Sequence, residues 1–346
     1  MNIFKCPSCG KTLNGFIPAK CSCGIDTLII DEVYQFTHDN PIFIEGDGLK
    51  WLGYENVGEN YEPAIALGSD NLSDNMSVGY NVGNSMFIGN CSRKLKEYLG
   101  DNCVVLDLGA GLGQASIPLA LAGANTIAAD ISQSMLSSNY KRAKKYQVGD
   151  NYICTRMNAY KLEIADDIID AVVEIDMLHQ VDRPELVVEE IKRVLKPSGV
   201  YVKYGCFPMD ITDMQKLTND EFNAIQKDIT NYYLTALKIN SDIDLRTFNS
   251  WEKARTCISE SGYFEEYTFV ESDVISEWYT DMRFALHKLK TRAAGSEQLI
   301  PDDIHKNAWD KAEEYARNKY GEDYNDFKRY DKKMGFLEIY KLKNPR

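Results

Sequence analysis

The chain has 346 residues, 44% hydrophobic and 11% aromatic, so it can bury a full core and is not a disordered polymer. Its 39 basic and 52 acidic residues leave a formal charge of −13, which disfavours a general polyanion binder, because phosphate contacts need Lys and Arg. No apolar run approaches the roughly 20 residues of a membrane span, and Met1-Asn2-Ile3-Phe4-Lys5 runs straight into a cysteine motif, so no secretory signal fits and a cytoplasmic, membrane-free protein is expected. There is no internal repeat and no low-complexity tract.

The first motif is a pair of cysteine knuckles, Cys6-Pro7-Ser8-Cys9-Gly10 and Cys21-Ser22-Cys23-Gly24. Each pair places two thiols on one side of a tight turn, and four thiolates in a tetrahedral array suit structural zinc. The second knuckle is Cys-x-Cys rather than Cys-x-x-Cys. The alternative is a disulfide pair, which the acidic charge, the missing signal peptide and five further scattered cysteines (91, 103, 154, 206, 257) argue against. Residues 26–36 alternate and run apolar, as strands of a small ribbon over 1–37 would. Residues 38–75 are rich in Gly, Asn, Asp and Pro and read as loops, and 76–100 reads as a helix.

Val104-Val105-Leu106-Asp107-Leu108-Gly109-Ala110-Gly111-Leu112-Gly113-Gln114 is a buried strand that breaks into a glycine-rich turn and opens a helix over 115–121. Glycines at alternate positions let the backbone turn sharply and press against a ligand, and the helix N–H groups point back at the turn. Strands are then expected at 126–130, 152–154, 168–174, 200–206, 264–270 and 335–342. Helices are expected at 184–195, where residues 187, 188, 191, 194 and 195 are apolar, and at 213–237, 251–261, 276–290 and 303–320. Strands alternating with helices define an α/β fold, a doubly wound parallel sheet with ligands at its carboxyl edge.

Two ligand classes use such a turn. Dinucleotide enzymes want G-x-G-x-x-G, but Gln114 occupies the last glycine position. The spacing Asp107-x-Gly109-x-Gly111-x-Gly113 instead resembles motif I of the class I S-adenosylmethionine (SAM) methyltransferases, and the resemblance covers roughly 78–206. It implies a seven-stranded Rossmann-like sheet with a SAM-binding core over 76–206 of a domain spanning 38–346. Helical insertions fall at about 207–250 and 274–334, and the second, between the sixth and seventh strands, would form a lid over the substrate or else pack on the sheet edge. It implies that Asp107, Gly109, Ala110, Gly111 and Gly113 face the methionine moiety. Asp130, followed by Ile131, would take both ribose hydroxyls; an acid there also fits NAD. Asn158 and Ala159 would meet adenine, where the family more often has an acid. Glu174 would belong to the same site, and Tyr80 and the tyrosines of 54–61 resemble a lead-in folding over SAM. His179 lies just after the fourth strand, where an imidazole titrating near neutrality could act as base; packing is the bland alternative. Glu174 is the other catalytic candidate.

The resemblance therefore implies a SAM-dependent methyltransferase with a small-molecule acceptor, with SAM as cofactor and structural zinc on Cys6, Cys9, Cys21 and Cys23. Two alternatives stay open. A zinc ribbon ahead of this fold also resembles the layout of ribosomal RNA guanine-N1 methyltransferases, although the ribbon carries only Lys5, Lys11 and Lys20 and no dense basic patch. A non-catalytic methyltransferase-like interaction protein would show no SAM turnover. The acceptor atom and the oligomeric state are not written in the sequence.

Overall fold

The computed structural model describes residues 2–18, 20–24, 26–37, 79–181, 183–240, 251–265, 267–290 and 300–343. The expected loop 38–75, with Tyr54 and Tyr61, lies outside the described residues. Tyr80 lies in a described helix, but its side chain is outside the described set.

Among the described residues nine strands form one mixed sheet. They are β1 (Leu28–Ile30), β2 (Val33–Gln35), β3 (Val104–Leu108), β4 (Asn125–Asp130), β5 (Tyr152–Arg156), β6 (Ile169–Glu174), β7 (Leu195–Pro208), β8 (Thr268–Asp281) and β9 (Lys328–Lys341). The described helices are α1 (Gly79–Leu99), α2 (Ser116–Leu121), α3 (Gln133–Lys145), α4 (Pro184–Val194), α5 (Asp213–Asn240), α6 (Trp251–Glu260), α7 (Met282–Lys290) and α8 (Asp302–Tyr320). None is long and apolar enough to cross a membrane.

The strand order is β1-β2-β5-β4-β3-β6-β7-β9-β8. From β2 to β7 the neighbours run parallel, and β9 is antiparallel to both β7 and β8. The order reverses between β3 and β6, the crevice where doubly wound sheets bind ligands. Val104, Leu106, Ile127 and Val172 are fully buried on one face with Leu195 and Tyr201, and Val105, Ala171, Val173 and Val202 on the other. That two-sided burial is why these strands read as continuous apolar runs. Helix α4 buries Val187, Val188, Ile191 and Val194, each worth about 1.5–3 kcal/mol.

Three expectations are corrected. Among the described residues the sheet has nine strands, not seven. The extra two come from the N-terminal segment, whose β2 pairs with β5 along Val33–Cys154, Tyr34–Thr155 and Gln35–Arg156. The expected helix over 276–290 starts only at Met282. Ahead of it, Ile275–Asp281 continues β8 as a ribbon against Lys328–Met334 of β9. The last two strands are thus longer than expected, and β8 begins at Thr268, with Phe264 left as an isolated bridge to Leu342. Buried Ser276, Trp278 and Thr280 follow a period of two, so the strand wins over the i, i+4 coincidence of Trp278 and Met282. Helices α5, α7 and α8 form their own core, with Phe222, Ile229, Tyr233, Leu286, Trp309 and Ala312 at its centre. Asp228 ties it, accepting from Tyr315 at 2.7 Å, Tyr320 at 2.7 Å and Lys319 at 2.9 Å.

Candidate active site

The turn after β3 is held by its own backbone. The Gly109 and Ala110 amides donate to the Ala129 carbonyl at 2.8 and 3.0 Å, which ties the turn to the end of β4. Gly109, Gly111 and Gly113 have φ of 73°, 49° and 85°, a region that favours glycine. A Cβ on Gly109 would lie 2.3 Å from Cγ of Met177, and one on Gly113 would lie 2.6 Å from Oδ1 of Asn139, whereas Gly111 faces open space. Only the middle glycine therefore leaves room in front of it.

Asp130 ends β4 beside this opening. Its Oδ2 accepts from the Gly111 amide at 2.9 Å and its Oδ1 from the Ser132 amide at 2.9 Å. Ser132 caps α3 by accepting from the Met135 amide at 3.3 Å. The Ile131 carbonyl accepts from Nε of Arg156 at 2.9 Å. Asn158 turns its Oδ1 onto the Tyr160 amide at 3.0 Å, a local turn that shapes the wall after β5 with half-buried Ala159.

Asp107 sits differently from the open position its role toward a methionine amine called for. It is buried, and its Oδ2 accepts from the Ser116 amide at 2.9 Å at the start of α2. Burial pushes its carboxyl up to about 7, against the hydrogen bonds from Ser116 that pull it down. The folded protein therefore binds this proton more tightly than the unfolded chain. Stability from this group is highest below about pH 4 and falls as pH rises toward about 7. Asp107→Asn is expected to flatten that slope, so its melting temperature should gain on the wild type between pH 5 and pH 8. A constant gap would mean that the carboxyl ionises normally.

The second half of the site follows β6. Glu174 is buried, and both of its oxygens are used. Tyr201 donates its hydroxyl to Oε1 at 2.9 Å, and the Met177 amide donates to Oε2 at 2.9 Å. Burial holds the Tyr201 hydroxyl well above its ordinary value, so it remains a donor. Glu174 thus fixes the loop that carries Asp176 (φ 56°), Met177 and His179. His179 is 9% exposed, and burial lowers its pKa although Glu174 opposes this, so the ring is neutral near pH 7.

A cavity of about 240 Å³ opens beside this loop, lined by Glu174, His179, Lys203, Cys206, Ala254 and Glu338 among others. Glu174, Lys203 and Glu338 lie in register across β6, β7 and β9. Glu338 is held by the Tyr340 hydroxyl at 2.9 Å. Lys203 makes no ion pair among the described residues. Sequence reasoning missed Lys203, Tyr201, Met177 and Glu338. The available signal was a lysine inside the otherwise apolar run 200–206.

The four N-terminal cysteines do converge. Their sulfurs all lie within 4.8 Å of one another, with Cys6–Cys23 at 3.8 Å and Cys9–Cys21 at 3.5 Å. A tetrahedron with arms of about 2.3 Å has edges of about 3.8 Å, so the donor set fits a zinc ion. All nine cysteines stand as free thiols in this structure. A backbone hydrogen bond from Cys23 and the surrounding sulfurs pull the Cys21 thiol down to about 7.

A family described as a methyltransferase domain matches residues 106–202, the stretch from β3 to β7. That stretch carries the glycine turn and the parallel strands on either side of the point where the strand order reverses. The demethylmenaquinone methyltransferase of Clavibacter sepedonicus is 28% identical over 200 residues, covering 53% of this chain and 79% of that protein. The ubiquinone/menaquinone biosynthesis C-methyltransferase UbiE of Blochmanniella pennsylvanica is 27% identical over 159 residues, 43% of this chain and 61% of that protein. A demethylmenaquinone methyltransferase of Mycobacterium marinum is 35% identical over 101 residues, 29% of this chain and 40% of that protein. The chain thus spans less than two thirds of the second and third of these relatives. Among solved structures, phosphoethanolamine N-methyltransferase 2 of Haemonchus contortus aligns over 83% of this chain and 57% of its own at 17% identity, with a TM-score of 0.40.

Proposed function

We propose that the protein transfers the methyl group of SAM to a small-molecule acceptor seated in the cavity beside His179. The observation that carries this reading is that one loop, fixed by Glu174, serves both halves of the site. Its Met177 backs Gly109 of the glycine turn, and its His179 lines the cavity. SAM supplies an electrophilic methyl carbon when bound, so the protein's work is alignment and exclusion of water. Asp130 and Ile131 would hold the ribose side, Asn158 and Ala159 the adenine side, and Gly111 the space in front of the turn. Neutral His179 would accept the acceptor's proton, and Lys203 would balance negative charge left on the acceptor. The cavity volume of about 240 Å³, the charge of −13 and the relatives' names, which speak of demethylmenaquinone and of ubiquinone/menaquinone biosynthesis, favour a small acceptor over RNA.

Calorimetric titration with S-adenosylhomocysteine, with NAD and NADH as controls, tests the reading. Micromolar binding of S-adenosylhomocysteine alone supports it; binding of NAD alone overturns it. Turnover is then sought with phenols, enols and amines, and with RNA as the competing acceptor.

The cysteine cluster belongs to the same reading as a structural zinc site, since four protein thiolates leave no open coordination position. The purified protein is expected to carry about one zinc per chain. Cys6→Ser is expected to lower that content and to weaken the N-terminal fold, because metal binding and folding share one free energy. Full zinc retention, measured by elemental analysis, would remove Cys6 from the ligand set.

A further inference from the structure

We infer that the four-cysteine segment positions the adenosine half of the cofactor site, so that metal bound at the cysteines and cofactor bound at the sheet edge strengthen each other. This rests on the SAM reading above and extends it to residues that touch neither ligand.

The segment is stitched to both walls expected to hold adenosine. On the wall that carries Asn158 and Ala159, the Lys5 amide donates to the Glu163 carbonyl at 2.9 Å, and the Ala165 amide donates to the Ile3 carbonyl at 2.7 Å. Lys5 Nζ adds an ion pair to Asp166 at 2.9 Å. On the wall that carries Ile131 and Ser132, the buried Gln35 donates from Nε2 to Oε1 of Gln133 at 2.7 Å. Gln133, the first residue of α3, donates in turn to the Ile30 carbonyl at 3.1 Å. A third link runs through β5. The Phe36 amide donates to the Arg156 carbonyl at 3.0 Å, and Arg156 donates to the Ile131 carbonyl at 2.9 Å.

The cysteines reach these links through packing. Phe4, two residues before Cys6, stacks on Phe36 with ring centroids 4.9 Å apart. Ile3, Phe4, Cys6, Leu13, Cys21 and Phe36 share one buried cluster with Leu106 and Ile127 of the sheet and Met157 just past β5. Without a cation, no bond joins the four sulfurs that lie within 4.8 Å of one another, and the two knuckles lose their common anchor. Loosening of the knuckles would therefore be felt at Phe4 and Phe36, and from there at Arg156 and Gln133. Coupling between two sites is reciprocal, so cofactor should raise metal affinity as metal raises cofactor affinity.

The test is S-adenosylhomocysteine affinity, measured well below the melting temperature, for three samples: the zinc-loaded wild type, the same protein stripped by a thiol-reactive mercurial and chelator, and zinc-loaded Gln35→Ala. We expect stripping to weaken binding about fivefold or more, the lower end of typical couplings. Gln35→Ala is expected to weaken it in the same direction while retaining full zinc. Adenosine alone should lose affinity by the same factor as S-adenosylhomocysteine, since the homocysteine half rests on the glycine turn. A general loss of stability would not move the affinity of protein that is still folded. Wild-type affinity in Gln35→Ala, or in stripped protein that remains folded, overturns the inference. If stripping unfolds the chain, Gln35→Ala decides alone. Failure of the zinc-loaded wild type to bind S-adenosylhomocysteine would overturn the methyltransferase reading itself, and the brace with it.

Discussion

Gly113→Ala is expected to destabilise the protein by about 2–5 kcal/mol, the sum of a left-handed backbone forced on alanine and an overpacked contact. Its φ is 85°, and the new Cβ would sit 2.6 Å from Oδ1 of Asn139 and 2.7 Å from Cδ1 of Ile117. Asn139 has little freedom to move aside. It is buried, donates to the Gly111 carbonyl at 3.1 Å and accepts from the Tyr152 hydroxyl. Gly111→Ala is the control. Its φ of 49° carries some strain, but no atom lies within 4 Å of the added methyl. That variant should keep most of its stability and lose S-adenosylhomocysteine instead, because the methyl fills the open space of the turn. Melting temperature and calorimetric titration on both variants separate the roles. A Gly113→Ala protein that melts like the wild type would show that the turn relaxes freely.

Glu174→Ala should cost about 2–4 kcal/mol, because it strands a Tyr201 hydroxyl in the core and frees the Met177 amide, each an unsatisfied group of about 1–3 kcal/mol. The loop over Gly109 would lose its anchor, so binding at the glycine turn should weaken together with folding. Glu174→Gln tests the geometry more gently. Its amide oxygen still accepts from Tyr201, while its NH2 faces the Met177 amide and repels it. Urea unfolding should therefore rank wild type, Gln and Ala in that order. Equal stability of Gln and Ala would mean that the Tyr201 bond contributes nothing.

The parts of this site that local patterning encodes were legible in the sequence. Strands β3, β4 and β6 announce themselves as apolar runs buried on both faces, Gly109-Ala110-Gly111-Leu112-Gly113 as a turn, and Asp130 as an acid at a strand end. The cysteine cluster was legible from spacing alone. What escaped depends on register between distant segments. Nothing near Lys203 reveals that Glu174 and Glu338 flank it, because that row is assembled from three strands. The pairing of the three-residue β2 with β5 is equally non-local. Asp107 was read from its position beside the glycines, yet its partner is the Ser116 amide, set by how α2 closes on the strand. At 276–281 the local signal misled, since Trp278 of the alternating strand β8 happens to stand four residues before Met282, where α7 begins.

The pairing of β2 with β5 also bears on solubility. A parallel strand at the margin of a sheet presents a row of unpaired amides and carbonyls to any other chain, and Tyr152–Arg156, rich in buried side chains, would be such a strand without β2. The N-terminal hairpin covers it and leaves β1, three residues long, as the outermost strand on that side, the short form in which exposed edges are tolerated. A chain shortened to begin beyond β2 would bare the longer edge, and self-association would reach it before any loss of the glycine turn did.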